Sequence, residues 1–413
     1  MTPARHSVLI VSASMGAGHD GVAAELARRL TAAGGAAEVV DLLDLLPLGL
    51  GGGLRRWYGW MMRSAPWVYA LIYRVFFAPP PLREPDGGDP APRARRERRA
   101  LAWDSPLTVL AAARLRRLVG RRRPGEVVTT FHVAAQAAGR LRGRGRLAVP
   151  STVLLTDFAV HRMWLHPGND RYLCPSPSTA RRVTALTGRP AACCAPLTGP
   201  AFHRPRGRPA AVRRARERLG VRPDDRLVLV SAGSWGVGEV AETARVLAGS
   251  GRYLPVVLCG RNERLRRRLA AVRPGLALGW RDDLPALMAD AYALVDNAAG
   301  LTCREAFAAG LPVISYRPIP GHGRDGALAM ARDGLSVHAD GPRDLLAALD
   351  RLAGPGERAR LVAAGAALFA EPSAEALLLG GASAPAPGGP QSQTSLPPAW
   401  SRSGRVWARW MLP

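Results

Sequence analysis

The sequence predicts a two-domain α/β protein built on parallel sheets, and three observations carry that prediction. The chain has 413 residues, more than one hydrophobic core usually organises, so two domains are expected. Its second half alternates short apolar runs, at 226–231, 254–259, 276–278, 293–296 and 312–316, with helical stretches. Such alternation argues for crossover connections and a parallel sheet. Residues 295–325, VDNAAGLTCREAFAAGLPVISYRPIPGHGRD, then bring two strand-to-helix junctions close together. Each junction leaves backbone N–H groups free at one sheet edge, where open α/β sheets bind phosphorylated ligands.

The elements follow in order. A strand over 7–12 runs into the glycine loop Ser12-Ala-Ser-Met-Gly-Ala-Gly-His19, then a helix over 20–33 and a strand over 37–43. Residues 57–80 read WYGWMMRSAPWVYALIYRVFFAPP and hold eight of the chain's 24 aromatic residues, the 10 Trp, 7 Tyr and 7 Phe. A membrane-crossing helix needs about 20 apolar residues in a row. Here Arg63 and Arg74 interrupt the run, and Pro66 should break or kink a helix. Rings mixed with arginines suit a helix lying in the headgroup boundary, with Trp57, Trp60, Trp67, Tyr73 and Phe76 as inserting residues. A helical hairpin packed on its own domain, or a groove for a peptide or partner, fits the same pattern, and all three stay open.

The Pro/Gly/Arg-rich stretch at 79–100 reads as a flexible insert whose arginines face solvent or anionic lipid. Strands at 126–130, 151–156 and 172–175 complete the first half. Arg204 to Arg216, rich in Pro, Arg and Ala, reads as a linker. The expected division is therefore a membrane-side first domain over 1–205, a second domain over 206–378, and a disordered tail over 379–413 that ends in RVWARWMLP.

Composition narrows the partners. The formal charge is +25, and all 57 basic residues are Arg. The absence of Lys fits a GC-rich coding bias, so part of the charge carries no message. A basic surface still attracts polyanions. The basic residues are spread along the chain and the aromatics sit in an apolar helix rather than on a strand platform, which argues against nucleic acid. Five cysteines without paired C-x-x-C spacing argue against zinc or a disulfide framework. With no secretory pattern at the start, the expected place is the cytoplasm, peripherally attached to the inner face of the cell membrane.

Several residues can carry chemistry. Gly233-Ser234-Trp235-Gly236 follows a strand and precedes a helix, so its N–H groups and the Ser234 hydroxyl can cradle phosphate, or it is a tight structural turn. Thr302-Cys-Arg-Glu305 fits a capping box with Thr302 as N-cap. His19 opens a helix after Gly16-Ala-Gly18 and titrates near neutral pH, as a general base must. Asp157 ends a buried strand at the same sheet edge and is the base, the residue that orients His19 or His161, or a loop cap. His132 reads as structural. Asp282-Asp283 precedes a helix and reads as a cap rather than a metal motif.

The first glycine loop ending in His19, Thr156-Asp157-Phe158 with His161 and Trp164-Leu-His-Pro-Gly168, Ser231-Ala-Gly-Ser-Trp-Gly-Val-Gly238, Cys259-Gly-Arg-Asn-Glu-Arg264 and the 295–325 stretch occur in that order. Together they resemble the glycosyltransferase family that includes monogalactosyldiacylglycerol synthases, and more distantly the N-acetylglucosaminyltransferase of peptidoglycan lipid synthesis. The likeness runs from about residue 6 to about residue 340. It implies the GT-B fold, two Rossmann-like domains facing across a cleft, and an inverting transfer of a hexose from a UDP-sugar to a membrane lipid such as diacylglycerol. It implies no cofactor and no bound metal, the UDP-sugar being a co-substrate. By the same likeness His19 and Asp157 are catalytic, and Gly16, Gly18, His161 and Trp164 bind the acceptor. Gly233, Ser234, Trp235, Gly236, Arg261, Asn297, Gly300, Leu301, Thr302, Glu305 and His322 bind the donor, with Glu305 on the ribose hydroxyls and His322 near the sugar.

The chain also departs from the pattern. Ala299 stands where a glycine is usual and, if its φ is positive, costs about 1 kcal/mol or more. Ala17 lies between the first loop's glycines, and His322-Gly323 replaces a Gln-Glu pair, which leaves the sugar open. Two rival readings remain: a glycosyltransferase with a soluble or natural-product acceptor, and a non-catalytic membrane- or polyanion-binding protein with this fold.

Overall fold

The computed structural model describes residues 7–78, 98, 100–102, 104–203, 216–272 and 275–380. Most of the expected insert, the expected linker apart from Arg216, and the tail beyond Gly380 lie outside them. The described chain forms two six-stranded sheets, and every strand pair is parallel. The first holds β1 (Ser7–Ser12), β2 (Ala36–Asp41), β3 (Glu126–Thr129), β4 (Ser151–Leu154), β5 (Arg171–Cys174) and β6 (Ala191–Cys193), in the order β2-β1-β3-β4-β5-β6. The second holds β7 (Leu227–Ser231), β8 (Leu254–Leu258), β9 (Leu276–Leu278), β10 (Ala293–Asp296), β11 (Val313–Tyr316) and β12 (Val337–Ala339), in the order β12-β11-β10-β7-β8-β9.

The central strands are buried on both faces because helices cover both faces of a parallel sheet. Every residue of β3, β7, β10 and β11 is buried. The edge strands β6 (AAC) and β12 (VHA) are three residues long and half-buried. They lack a β-branched run, which is why the sequence pattern passed over both. Several expected strands end one or two residues early, and the first helix starts at Ala17, not Asp20.

Sheet order locates the site. In the first sheet the chain moves outward from β1 to β2 and then returns to place β3 on the other side of β1. In the second, β10 returns to the far side of β7 in the same way. Each reversal opens a crevice at the carboxyl ends of the two strands, where the loops diverge.

The aromatic segment is a broken helical hairpin: Leu50–Ser64, Pro66–Ile72 and a π-helical turn at Tyr73–Phe77. Pro66 starts the second helix, where its missing N–H costs nothing. The stretch Pro355–Leu379 has the length and hydropathy of a membrane-crossing helix. It is nevertheless broken into Pro355–Ala367, Leu368–Ala370 and Ala374–Leu379, and Leu361, Leu368, Ala374 and Leu378 are buried in the body. Ala374 and Leu378 pack with Leu26 and Leu30 under the first sheet, so the chain's last described helix returns to the first half.

Candidate functional site

The two crevices open into one cavity of about 690 Å³. The loop after β1 meets the loop after β7 at its floor. The Ala17 N–H donates to Ser234 Oγ at 3.2 Å, and the Trp235 indole N–H donates to the Met15 carbonyl at 2.7 Å. Gly233 and Gly236 have φ of 63° and 61°, a region that favours glycine. A Cβ on Gly236 would lie 2.3 Å from Asn262 Cβ, so this glycine serves loop packing and is not among the residues lining the cavity. Arg261 is likewise set back, its guanidinium 4.7 Å from the Trp280 ring, which does line it.

The second junction is braced by Asp296, whose Oδ2 accepts from the Ala298 and Ala299 N–H groups at 2.8 and 2.6 Å. Ala299 does take positive φ, 53°. Asn297 ties the two loops together by donating to the Val237 carbonyl at 3.0 Å, and its Oδ1 is buried with no partner among the described residues. The helix here is Leu301–Ala308 with Gly300 at the N-cap. Thr302 is therefore inside the helix, not its cap, and the expected capping box does not form. An extended glycine already frees the first N–H groups, so no side-chain cap is needed. Glu305 lines the cavity and takes no hydrogen bond among the described residues, and burial pushes its carboxyl up to about 7. Asp283 does stand at an N-cap position, but its carboxylate pairs with Arg281 and Arg218 rather than capping.

His19 faces the cavity from the first half. Its Nδ1 lies 2.8 Å from the Thr130 carbonyl and 3.1 Å from Thr156 Oγ1. A carbonyl can only accept, so Nδ1 carries the proton and Nε2 keeps its lone pair. Burial lowers the His19 pKa against the opposing pull of Asp157, which keeps the ring neutral at pH 7. Asp157 accepts from Trp164 Nε1 at 2.8 Å and lies 3.3 Å from His161 Nε2. Burial alone would raise this carboxyl, but the His161 hydrogen bond and the His161, His322 and His19 rings hold it well below the usual carboxylate range.

Trp164 was expected to bind the acceptor. It is fully buried behind His161 and does not reach the cavity, because its indole N–H is spent on Asp157. His132, read as structural, lines the cavity instead, with its ring 5.5 Å from that of His161. It opens the helix His132–Gly143 that follows β3, at the carboxyl edge of the first sheet. Arg304 was missed altogether: it is buried, donates to the Thr156 carbonyl across the cleft, and sits 5.3 Å from the Phe158 ring centroid.

The hairpin forms the third wall. Its inner face crosses from the first half to the second: Tyr69 Oη is 2.5 Å from His322 Nδ1, and the Tyr73 hydroxyl donates to Asp325 at 2.8 Å. Tyr73 is only 5% exposed, so it is not a membrane-inserting residue; its hydroxyl is bonded to the half-buried Asp325. Trp60, Trp67 and Phe76 lie on the outer face, with Trp67 70% exposed, and Arg55, Arg56, Arg63 and Arg74 are exposed beside them, whereas Trp57 is partly exposed and also lines the cavity.

The cavity thus brings together Gly16, Gly18, His19, Asp157, His161, Gly233, Ser234, Trp235, Asn297, Gly300, Leu301, Thr302, Glu305 and His322. Of the expected site residues outside the hairpin, only Trp164, Gly236 and Arg261 stay out of its lining.

Residues 104–191 match the family model described as monogalactosyldiacylglycerol (MGDG) synthase. The processive diacylglycerol beta-glucosyltransferase of Bacillus licheniformis is 26% identical over 245 residues, 58% of this chain and 63% of that protein. The chain spans about three fifths of the length of the curated relatives it matches. MurG of Acinetobacter baumannii superposes with a TM-score of 0.52 at 14% identity, covering 90% of this chain and 96% of that one. UGT71G1 of Medicago truncatula, complexed with UDP-glucose, gives 0.53 at 11% identity, covering 89% and 93%. The resemblance drawn from the motifs is matched by these relatives, and the fold is the expected GT-B arrangement of two Rossmann-like halves facing across a cleft.

Proposed function

We propose, from this likeness to the monogalactosyldiacylglycerol synthase family, that the chain is a glycosyltransferase moving a hexose from a UDP-sugar to a membrane lipid, with diacylglycerol as acceptor. One observation carries the reading. A single cavity runs from the N–H-rich loops of the second half, past His19, to an apolar chamber under the hairpin lined by Leu54, Met61, Met62, Ile72, Phe77 and Leu107.

The chemistry follows from the geometry. The loop at 233–234 and the start of the helix Leu301–Ala308 offer backbone donors to the diphosphate. Glu305, unpartnered in the cavity, takes the vicinal ribose hydroxyls, which compensate its burial. The acceptor hydroxyl gives its proton to His19 Nε2 as its oxygen bonds the anomeric carbon. UDP leaves from the opposite face of that carbon, so the configuration inverts. Asp157 favours the imidazolium that forms. The exposed tryptophans and arginines of the hairpin suit the boundary of an anionic membrane, which would hold the chamber's mouth against the lipid on its cytoplasmic side.

The test is to incubate the full chain with each common UDP-sugar, with and without diacylglycerol in anionic vesicles, and to follow UDP release and lipid products. Lipid-dependent release with a new glycolipid is expected. Turnover without lipid dependence would move the acceptor to a soluble molecule. No turnover by folded protein with any donor would overturn the enzymatic reading. Glu replacements at Trp60 and Trp67 should weaken vesicle binding at least tenfold, since each replaces an exposed ring by a charge.

A further inference from the structure

We propose that Tyr69, supplied by the first half, locks His322 of the second half in the tautomer that presents Nε2–H, so that His322 donates a hydrogen bond to an oxygen of the donor sugar. The inference rests on the reading of the cavity as a UDP-sugar site and adds a positioning residue to it.

The argument starts from one contact. Tyr69 Oη and His322 Nδ1 are 2.5 Å apart, and both residues line the cavity. Two proton arrangements fit that distance. If Nδ1 carried the hydrogen, the phenol oxygen would accept it, and the phenol's own proton would need another acceptor. Tyr69 has none among the described residues. If the phenol donates, one proton satisfies both groups, and the neutral imidazole must carry its hydrogen on Nε2. The surroundings agree: burial raises the Tyr69 pKa well above its ordinary value and lowers that of His322, so the phenol keeps its proton and the ring stays neutral.

The turn that carries His322 is pressed onto the hairpin. A Cβ on Gly321 would lie 2.6 Å from Tyr73 Cγ, and the Tyr69 ring stands edge-on to the imidazole at 87° and 5.5 Å. His322 therefore cannot turn over without moving the hairpin. The result is a division of labour between two histidines on one cavity. His19 bonds a carbonyl through Nδ1 and keeps a lone pair on Nε2. His322 bonds a hydroxyl through Nδ1 and keeps a hydrogen on Nε2. One is set to take a proton, the other only to donate a hydrogen bond, and His322 does not compete with His19 as base.

The tautomer is read directly from long-range 1H–15N spectra of the full chain labelled at histidine, with the His322→Gln spectrum identifying the His322 signals. The Nε2–H pattern is expected in the wild type, and a mixture of tautomers in Tyr69→Phe. Affinities for UDP-glucose, UDP-galactose and UDP alone are measured beside it. Tyr69→Phe should weaken the UDP-hexose that the wild type prefers by about tenfold, the scale of one hydrogen bond, and leave UDP within about twofold. Tyr73→Phe removes the neighbouring hairpin hydrogen bond to Asp325 but touches no nitrogen of His322, so it should leave the tautomer and both affinities alone. An Nδ1–H pattern in the wild type overturns the proposal. So does equal weakening of UDP and UDP-hexose in Tyr69→Phe, or a Tyr73→Phe variant that matches it, because either outcome reduces Tyr69 to a docking residue. If the wild type binds no uridine nucleotide, the functional reading falls, and the spectrum still decides the tautomer.

Discussion

Replacing Gly59 by Ala sets two effects of known size against each other. Gly59 lies inside the helix Leu50–Ser64, and an interior Gly→Ala change normally stabilises a helix by about 0.8–1 kcal/mol. Here the new Cβ would meet the Trp235 ring, with Cζ3 at 2.5 Å, Cε3 at 3.0 Å and Cη2 at 3.1 Å. Trp235 has little room to retreat. Its indole N–H is bonded to the Met15 carbonyl, and Tyr58 and Arg63 pack on its ring. Overpacking costs about 1–3 kcal/mol, and a strained indole hydrogen bond adds about 1 kcal/mol. The net change is a loss of about 1–3 kcal/mol. Gly53 in the same helix is the internal standard, since no described residue lies within 4 Å of its Cβ position; Gly53→Ala should gain the full propensity term. The assay is the denaturation midpoint of each full-length variant, read with UDP affinity, because Trp235 flanks the loop proposed to hold phosphate. A Gly59→Ala midpoint equal to or above that of Gly53→Ala would refute the reasoning: the hairpin would not press on Trp235, and the three-walled cavity would be wrong.

His19→Ala should lower kcat by about 10²–10⁴-fold with donor affinity nearly unchanged, measured by steady-state kinetics and direct binding. At saturating donor the wild-type rate should fall only below about pH 6.5, because burial lowers the His19 pKa from its ordinary 6.5 and the free base is the active form. Glu305 sits at about 7 while unpartnered, so donor affinity should rise between pH 6 and 8 as the carboxylate ionises. Glu305→Gln should flatten that slope. Stability should fall in acid through His166, whose folded pKa is pushed down by burial to about 4 from 6.5. The unfolded chain takes the proton first, so the loss begins below pH 6.5 and continues to about pH 4, amounting to roughly 3 kcal/mol. Its Nδ1 accepts the Gly168 N–H at 2.9 Å; His166→Asn keeps an acceptor there without the titration, and its midpoint should depend less on pH over that range.

Local patterns made most of the fold readable. Apolar runs such as LVLVS and ALVD between turn residues read as strands buried on both faces, and their alternation with helices argues for a parallel sheet with its loops at one edge. That pattern put Ser234 and His19 at sheet edges, while the family resemblance pointed to Asn297. At Ala299 the family resemblance pointed to a usual glycine, and the residue does take the positive φ, 53°, that such a position favours. The three-residue edge strands had no such signature. Thr302 misled because the capping-box pattern is blind to a glycine two positions earlier that already performs the cap.

Residue order alone therefore showed most of the segments that become strands, which loops carry glycine, and that His19 and Asp157 stand beside strand ends. Only tertiary packing decided what meets what. Tyr69 and Tyr73 belong to a segment whose composition speaks of a membrane, yet their hydroxyls end on His322 and Asp325, about 250 positions away. Arg304 crosses the cleft, Trp164 turns its back on it, and His132 faces it. The reason is physical: buried polar atoms must find partners, and which partner is within reach depends on how two separately folded sheets are set against each other, a relation that no local stretch of sequence encodes.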